Sequence, residues 1–262
     1  MQKHLLEKIP EEIPSELRRL AEGARIYDSS CSPEARVYFI DRGEGLYLKR
    51  GSRGTLRREY EMASYFYSIG LGVEAMSHTT EGGYDWLLTR AAVGDDLTSS
   101  VYLEDPKRLA ACLGENLRAL HEVDFSACPI KDRTGEYITL VEQNYITGNY
   151  DSSHFPDSFG YRSADEAIAV FRAGKSDMRS EVLLHGDYCL PNVIFKGWDL
   201  SAFIDVGNGG VGDRHVDIFW GAWTLNFNLK TDKFRDTFYS AYGKELIDKE
   251  KIRLIAAAEV FG

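Results

Sequence analysis

The segment Glu181–Asp213 reads EVLLHGDYCLPNVIFKGWDLSAFIDVGNGGVGD, short apolar runs broken by polar punctuation. Val182–Leu184 has the length and branching of a short buried strand. It delivers His185-Gly186-Asp187 into a loop. Asn192 follows five residues after Asp187 and opens a second apolar run, Val193–Lys196. Gly197-Trp198-Asp199 turns the chain. Leu200–Ile204 returns and ends in Asp205-Val206-Gly207. Each polar group therefore falls at a strand end, where side chains converge while the backbone stays rigid.

Two acids and an amide at 187, 192 and 205 suit phosphoryl transfer. Mg²⁺ takes oxygen ligands and keeps few from protein. Asn192 and Asp205 supply one neutral and one anionic oxygen, which leaves Asp187 to accept or orient the proton of an attacking hydroxyl. Asp and Asn in loops commonly do no more than make turns. HGDxxxxN followed by a hairpin and IDxG is a more specific joint pattern, the logic of a kinase-type catalytic loop. Such a site needs a phosphate-binding cation upstream, and Lys49 on the strand Leu46–Arg50 (LYLKR) fits, with Glu59 on the following helix as its acidic partner.

Outward from this core, Arg36–Asp41 and Leu46–Arg50 flank Arg42-Gly43-Glu44-Gly45 as a hairpin. Thr55–Ser68 reads as a helix. Glu81-Gly82-Gly83 makes a second hairpin, ending in Tyr84–Thr89. Beyond a short link near 91–98, helices take over. Asp105-Pro106 is a cap followed by proline at the first helical position, and Leu109, Leu113, Leu117 and Leu120 then share one face. Ser163-x-x-Glu166 is a capping box. Asp213, Thr231 and Asp248 are candidate starts for the last helices, and Phe219, Trp220, Trp223 and Phe227 have core spacing. The expectation is an α+β chain of two lobes: a small antiparallel-sheet lobe, 1–92, and a larger helical lobe, 93–262, that carries the 182–205 strands as an insert, with a cleft between them.

Composition limits the possible functions. The chain has 262 residues, 44% hydrophobic and 27% charged, with net charge −10. An acidic chain repels polyphosphate backbones and attracts cations, which argues against a nucleic-acid partner. No apolar run approaches the ~18 residues that cross a bilayer. The N-terminal MQKHLLEKIPEEIPS has no apolar core of a secretion signal. Cys31, Cys112, Cys128 and Cys189 are scattered without a CxxC, as expected of free thiols in a reducing cytoplasm.

LLHGDYCLPNVIFKGWDLSAFIDVG closely resembles the aminoglycoside 3′-phosphotransferases, antibiotic-resistance kinases with a protein-kinase-like fold. Asp28–Tyr38 resembles their nucleotide-positioning loop, Leu46–Lys49 their lysine strand, and Asp213-Arg-His-Val-Asp217-Ile the segment after Asp-x-Gly. The likeness runs from about residue 15 to the end. It implies transfer of the γ-phosphate of ATP (or GTP) to a hydroxyl, the 3′-OH, of a cationic aminoglycoside, with Mg²⁺. Asp187 would be the catalytic base. Lys49, held by Glu59, would contact the α- and β-phosphates, and Ser32 the β-phosphate. Tyr47 would stack on the purine, and Arg90–Ala92 would offer backbone hydrogen bonds to its edge. His185 would organise the loop, and Asp213 and Asp217 would cap or brace. Glu259 matches one of two adjacent acids that grip the drug, Ala258 standing at the other. Asp157 falls in the segment that would cover the substrate. Choline, homoserine-type, fructosamine and macrolide kinases share HxD…N…D, but DYCLPN and the acid near the C-terminus favour an aminoglycoside. A non-catalytic nucleotide-binding module would have lost one of Lys49, Asp187, Asn192 or Asp205. No Ala-Pro-Glu-like segment follows Asp205, which argues against a protein kinase.

Overall fold

The computed structural model describes residues 3–30, 35–151 and 159–262. The chain order is β1 (His4–Leu5), α1 (Ser15–Ala21), β2 (Arg25–Asp28), β3 (Arg36–Asp41), β4 (Leu46–Ser52), α2 (Arg57–Ser68), β5 (Ala75–Glu81), β6 (Tyr84–Arg90) and β7 (Asp95–Asp96). Next come α3 (Ser100–Leu103), α4 (Pro106–His121), α5 (Arg133–Thr147), α6 (Ala164–Gly174), β8 (Val182–Leu184), β9 (Val193–Lys196), β10 (Asp199–Phe203), β11 (Gly210–Gly212), α7 (His215–Leu229), α8 (Arg235–Tyr242) and α9 (Lys249–Ala258). The fold is α+β, as the sequence predicts. Among the described residues no helix is long and apolar enough to cross a membrane. The chain forms two compact units: unit 1 is Met1–Ser99 with Pro191–Asn208, and unit 2 is Ser100–Leu190 with Gly209–Gly262.

Unit 1 is built on an antiparallel sheet in the order β1-β2-β3-β4-β6-β5. Strand residues alternate faces, so Ile40, Leu46, Leu48, Trp86 and Leu88 all point to one side. There they bury against Ile13, Leu17 and Ala21 at α1. β10, β9 and β7 make a second, three-stranded sheet. Phe203 N–H donates to Leu71 O at 2.8 Å, and the Phe203 ring meets Phe66 of α2 edge-on at 6.2 Å. Gly94, with φ +118°, lets the link pass so close to β9 that a Cβ there would sit 2.0 Å from Phe195 O; only glycine fits.

Unit 2 is helical. Asp105 caps α4 by accepting from Arg108 N–H, and Leu109, Leu113, Leu117 and Leu120 are all buried. A Cβ on Gly114 would lie 2.5 Å from Phe238 O, which is how closely α8 packs on α4. Ser163 caps α6, but Glu166 returns its bond to the Arg162 N–H rather than to that of the cap residue. Asp248 caps α9 as expected. Thr231 does not start a helix, since α8 begins at Arg235.

The structure splits the 182–205 strands. β8 pairs with β11, Leu184 opposite Gly210, inside unit 2. The hairpin β9–β10 leaves its sequence neighbours and joins β7 in unit 1. β8 is three residues long and pairs with Gly210-Val211-Gly212, too short to carry a side-chain pattern, so its partner is set by tertiary packing.

Candidate active site

In unit 1 the register Val37↔Lys49↔Leu87 sets three strands side by side. The pleat that buries Leu46 and Leu48 turns Tyr47 and Lys49 to the opposite face, where with Val37, Leu87 and Thr89 they line a cavity of about 390 Å³. Lys49 Nζ donates to both oxygens of Glu59, at 2.9 and 2.8 Å, and lies 3.3 Å from Asp205 Oδ1. Burial works against the ammonium, but the Asp205 and Glu59 carboxylates outweigh it and hold the Lys49 pKa above its ordinary value. Burial pushes the Glu59 carboxyl up, and Lys49 opposes that.

Asn192 and Asp205 flank the base of the β9–β10 hairpin, where Ile204 N–H donates to Asn192 O at 3.0 Å. Asp205 adopts φ +54°, the left-handed region that costs a non-glycine residue energy. The 3-10 turn Val206–Asn208 that follows packs on α2. A Cβ on Gly207 would lie 3.2 Å from Glu59 Cβ, and Arg58 Nε donates to Gly207 O at 2.9 Å. The glycine of Asp-x-Gly therefore lets the turn sit on the helix that carries Glu59. Among the described residues no three His, Cys, Asp or Glu side chains gather as a metal cage. One amide and one carboxylate oxygen source suit a hard cation that takes its other ligands from water and phosphate, as Mg²⁺ does.

Tyr47, Arg90 and Ala92 line the same cavity. Tyr47 leans on Phe39, ring centroids 5.1 Å apart. The Arg90 N–H donates to Glu74 O and the Ala91 N–H to Gly45 O, both at 3.0 Å. Of the three amides expected to face a purine, the Ala92 N–H alone has no hydrogen-bond partner among the described residues. Lys3 also lines the cavity, its ammonium 3.2 Å from the Phe39 ring centroid; nothing in the N-terminal pattern signals it. Ser32 and Asp157 lie outside the described residues.

Asp187 is in unit 2, on the loop after β8. Fully buried Asp217, on α7, accepts from the backbone N–H of His185 at 2.7 Å and of Gly186 at 2.8 Å. His121 Nε2 lies 3.2 Å from the same carboxylate, and His121 Nδ1 lies 2.8 Å from Tyr242 Oη. Burial lowers the His121 pKa, and the Asp217 carboxylate opposes that. The Asp187 N–H reaches His185 Nδ1 at 3.3 Å, Tyr188 Oη donates to Leu113 O at 2.8 Å, and Leu190 N–H donates to Thr224 Oγ1 at 3.2 Å. Asp213 accepts from the N–H groups of Arg179 and His215, both at 3.0 Å. Burial opposes its charge, but His215 and Lys251 hold its pKa well below the carboxylate range. Burial pushes the Cys189 thiol up, and the described cysteines, Cys112, Cys128 and Cys189, are free thiols.

Glu259 opens a terminal 3-10 turn, Glu259–Phe261, and accepts a 2.6 Å hydrogen bond from Tyr137 Oη on α5. Burial raises its pKa to about 7. Sequence reading misses Tyr137, which is 122 residues away from its partner and lies on a helix whose pattern marks it only as apolar. The aromatic run on α7 is less uniform than its spacing predicts. Phe219 is buried and Trp220 and Trp223 partly so, but Phe227 is 53% exposed, stacked on Trp223 at 4.9 Å. The last turn of α7 runs past the core.

Residues 33–255 match the model of the Phosphotransferase enzyme family. A relative from Lactococcus lactis, named "Probable aminoglycoside 3′-phosphotransferase", is 45% identical over 252 residues, 96% of each chain. The fold is similar to the crystal structure of an aminoglycoside-3′-phosphotransferase of type VIII, with TM-score 0.79 and 22% identity over 94% of this chain and 97% of that one. It is also similar to an aminoglycoside phosphotransferase from Streptomyces rimosus in complex with ADP and streptomycin, with TM-score 0.73 and 19% identity over 86% and 90% of the two chains.

Proposed function

The chain belongs to the phosphotransferase enzyme family of the aminoglycoside 3′-phosphotransferases, and from that premise we propose that it moves the γ-phosphate of ATP or GTP to the 3′-hydroxyl of an aminoglycoside. The observation that carries the nucleotide half is Lys49, bonded to both Glu59 oxygens and 3.3 Å from Asp205 at the wall of one cavity. A strand lysine left to solvent needs no such partners. The near full-length likeness to the Lactococcus lactis relative supports the acceptor.

In this reading the purine lies between Tyr47 and the strand ends and accepts from the Ala92 N–H. Lys49 contacts the α- and β-phosphates, with Glu59 fixing the ammonium. Asn192 and Asp205 hold Mg²⁺, whose chemistry when bound is to neutralise charge on the phosphate oxygens. Asp187 orients the acceptor hydroxyl and takes its proton as the new O–P bond forms and the bond from the γ-phosphorus to the β-phosphate oxygen breaks, releasing the nucleoside diphosphate. The catalytic power is positioning plus electrostatics, without a covalent enzyme intermediate. Glu259, and Asp157 in the segment before α6, receive ammonium groups of the acceptor.

A coupled ADP-release assay against aminoglycosides, choline and a macrolide tests the assignment. Turnover of kanamycin with the phosphate on the 3′ oxygen by NMR is expected, and 3′-deoxy drugs should bind and inhibit. Turnover of choline or the macrolide alone would move the chain to another kinase specificity. Phosphate elsewhere on the drug would overturn only the 3′ assignment.

A further inference from the structure

Glu259 opens the short turn Glu259–Phe261. That turn is fastened at several points to α5 and to Tyr150 just beyond it. Asn144 Nδ2 donates to Phe261 O at 2.7 Å. Tyr145 and Tyr150 meet the buried Phe261 ring edge-on at 5.7 and 5.4 Å. Tyr137, itself buried, donates to Glu259 Oε1 at 2.6 Å. Building on the acceptor reading above, we infer that Tyr137 is the positioning residue of the ammonium subsite: its hydroxyl fixes Glu259 Oε1 and leaves acceptor positions on that carboxylate to a substrate ammonium.

The chemistry of the pair supports this. A carboxylate offers about four acceptor positions, so the two donors that reach it, the Tyr137 phenol and the Trp220 indole, leave room for an N⁺–H. Burial, with Glu259 beside it, pushes the Tyr137 phenol well above its ordinary value, so the hydroxyl remains a donor throughout the working pH range. The groups facing Glu259 come from three elements: Tyr137 and Arg133 on α5, Trp220 on α7, and Asp187 on the loop after β8. Burial is the largest influence and raises the Glu259 carboxyl to about 7. Tyr137, Trp220 and Arg133 favour the charged form, and Asp187 opposes it. An acid poised there loses its charge as pH falls through neutrality, and an incoming ammonium stabilises the carboxylate and expels the proton. Among the described residues the Tyr137 hydroxyl makes no other hydrogen bond, so its aim serves that carboxylate.

The test is steady-state kinetics of Tyr137→Phe and Glu259→Gln with kanamycin and ATP between pH 6 and 8.5, alongside thermal melts. Tyr137→Phe keeps the ring and removes only the donor. It should raise KM for kanamycin roughly three- to tenfold, the range expected for one hydrogen bond, and leave KM for ATP unchanged. It should also move the acid limb of kcat/KM for kanamycin upward by about half a unit to one unit, because the phenol no longer favours the carboxylate. Glu259→Gln should raise KM for kanamycin further and abolish the limb. A normal kanamycin KM and limb in Tyr137→Phe, with a raised KM in Glu259→Gln, would overturn the inference and leave the acceptor reading standing. Equal rises in both KM values with an unmoved limb would reduce Tyr137 to a structural contact and also overturn it. A normal kanamycin KM in Glu259→Gln would bring down the acceptor reading and the inference with it.

Discussion

The Lys49 cavity of unit 1 and the Asp187 loop of unit 2 both depend on carboxylates, held in opposite ways. Asp205 keeps its side chain about half exposed, sits on a left-handed backbone, and faces an ammonium at 3.3 Å. Asp217 is fully buried and spends its charge on the amides of His185 and Gly186. The first arrangement follows from the two-residue period of β4 and one hairpin. The second joins residues more than thirty positions apart. In one region a carboxylate is left at the wall of a cavity; in the other it is consumed in shaping the backbone of the loop that carries Asp187.

If that division is right, substitutions should segregate by region. The largest effect is expected at Asp187. Asp187→Ala should lower kcat by about 10²–10⁴, the usual span for a general base, with nucleotide affinity by calorimetry unchanged; turnover within a few-fold of wild type would break the contrast. Asp217→Ala should come next. It takes the acceptor from the buried His185 amide, at about 1–3 kcal/mol, and from the half-buried Gly186 amide, so the urea midpoint should fall and kcat with it, while KM for ATP stays. A fall in ATP affinity alone would show that Asp217 serves the other region. Glu59→Gln leaves Lys49 with Asp205 as its charged partner and should raise KM for ATP roughly tenfold, the low end for a hydrogen bond between charged groups, with the drug KM unaffected.

The strand-derived half of the candidate site was legible because local rules carry it. Lys49 follows from alternation along LYLKR, and Asn192 and Asp205 from a hairpin whose turn, Gly197-Trp198-Asp199, is written in the sequence. The helical face of α4 and the caps at Asp105, Ser163 and Asp248 were legible for the same reason. What escaped has no local signature. β8 finds β11 across 25 residues of intervening chain, the β9–β10 hairpin departs to the other unit, and Tyr137 meets Glu259 only through the packing of α5 against the chain end.

The smallest predicted effect refines the same lesson on α7. Phe227→Ser should change stability by no more than about 0.5 kcal/mol, as surface substitutions do. Phe219→Ala, eight residues earlier on the same helix and buried, should cost about 3–5 kcal/mol. Urea melts of both variants check the pair; equal losses would mean that Phe227 packs as its spacing first suggested.

The excursion of Pro191–Asn208 out of unit 2 has a consequence for biosynthesis. A ribosome that has delivered Ser99 has made every other part of unit 1, but neither the β9–β10 hairpin nor Phe203, which meets Phe66, exists yet. At about 5–20 residues per second those pieces arrive some 5–20 s later. During that wait the β7 edge has no partner and Phe66 lacks its cover, the exposure that draws nascent chains together and calls for chaperones. The Lys49 cavity is completed only when Asp205 emerges, so it cannot be excised, or matured, as one continuous N-terminal piece.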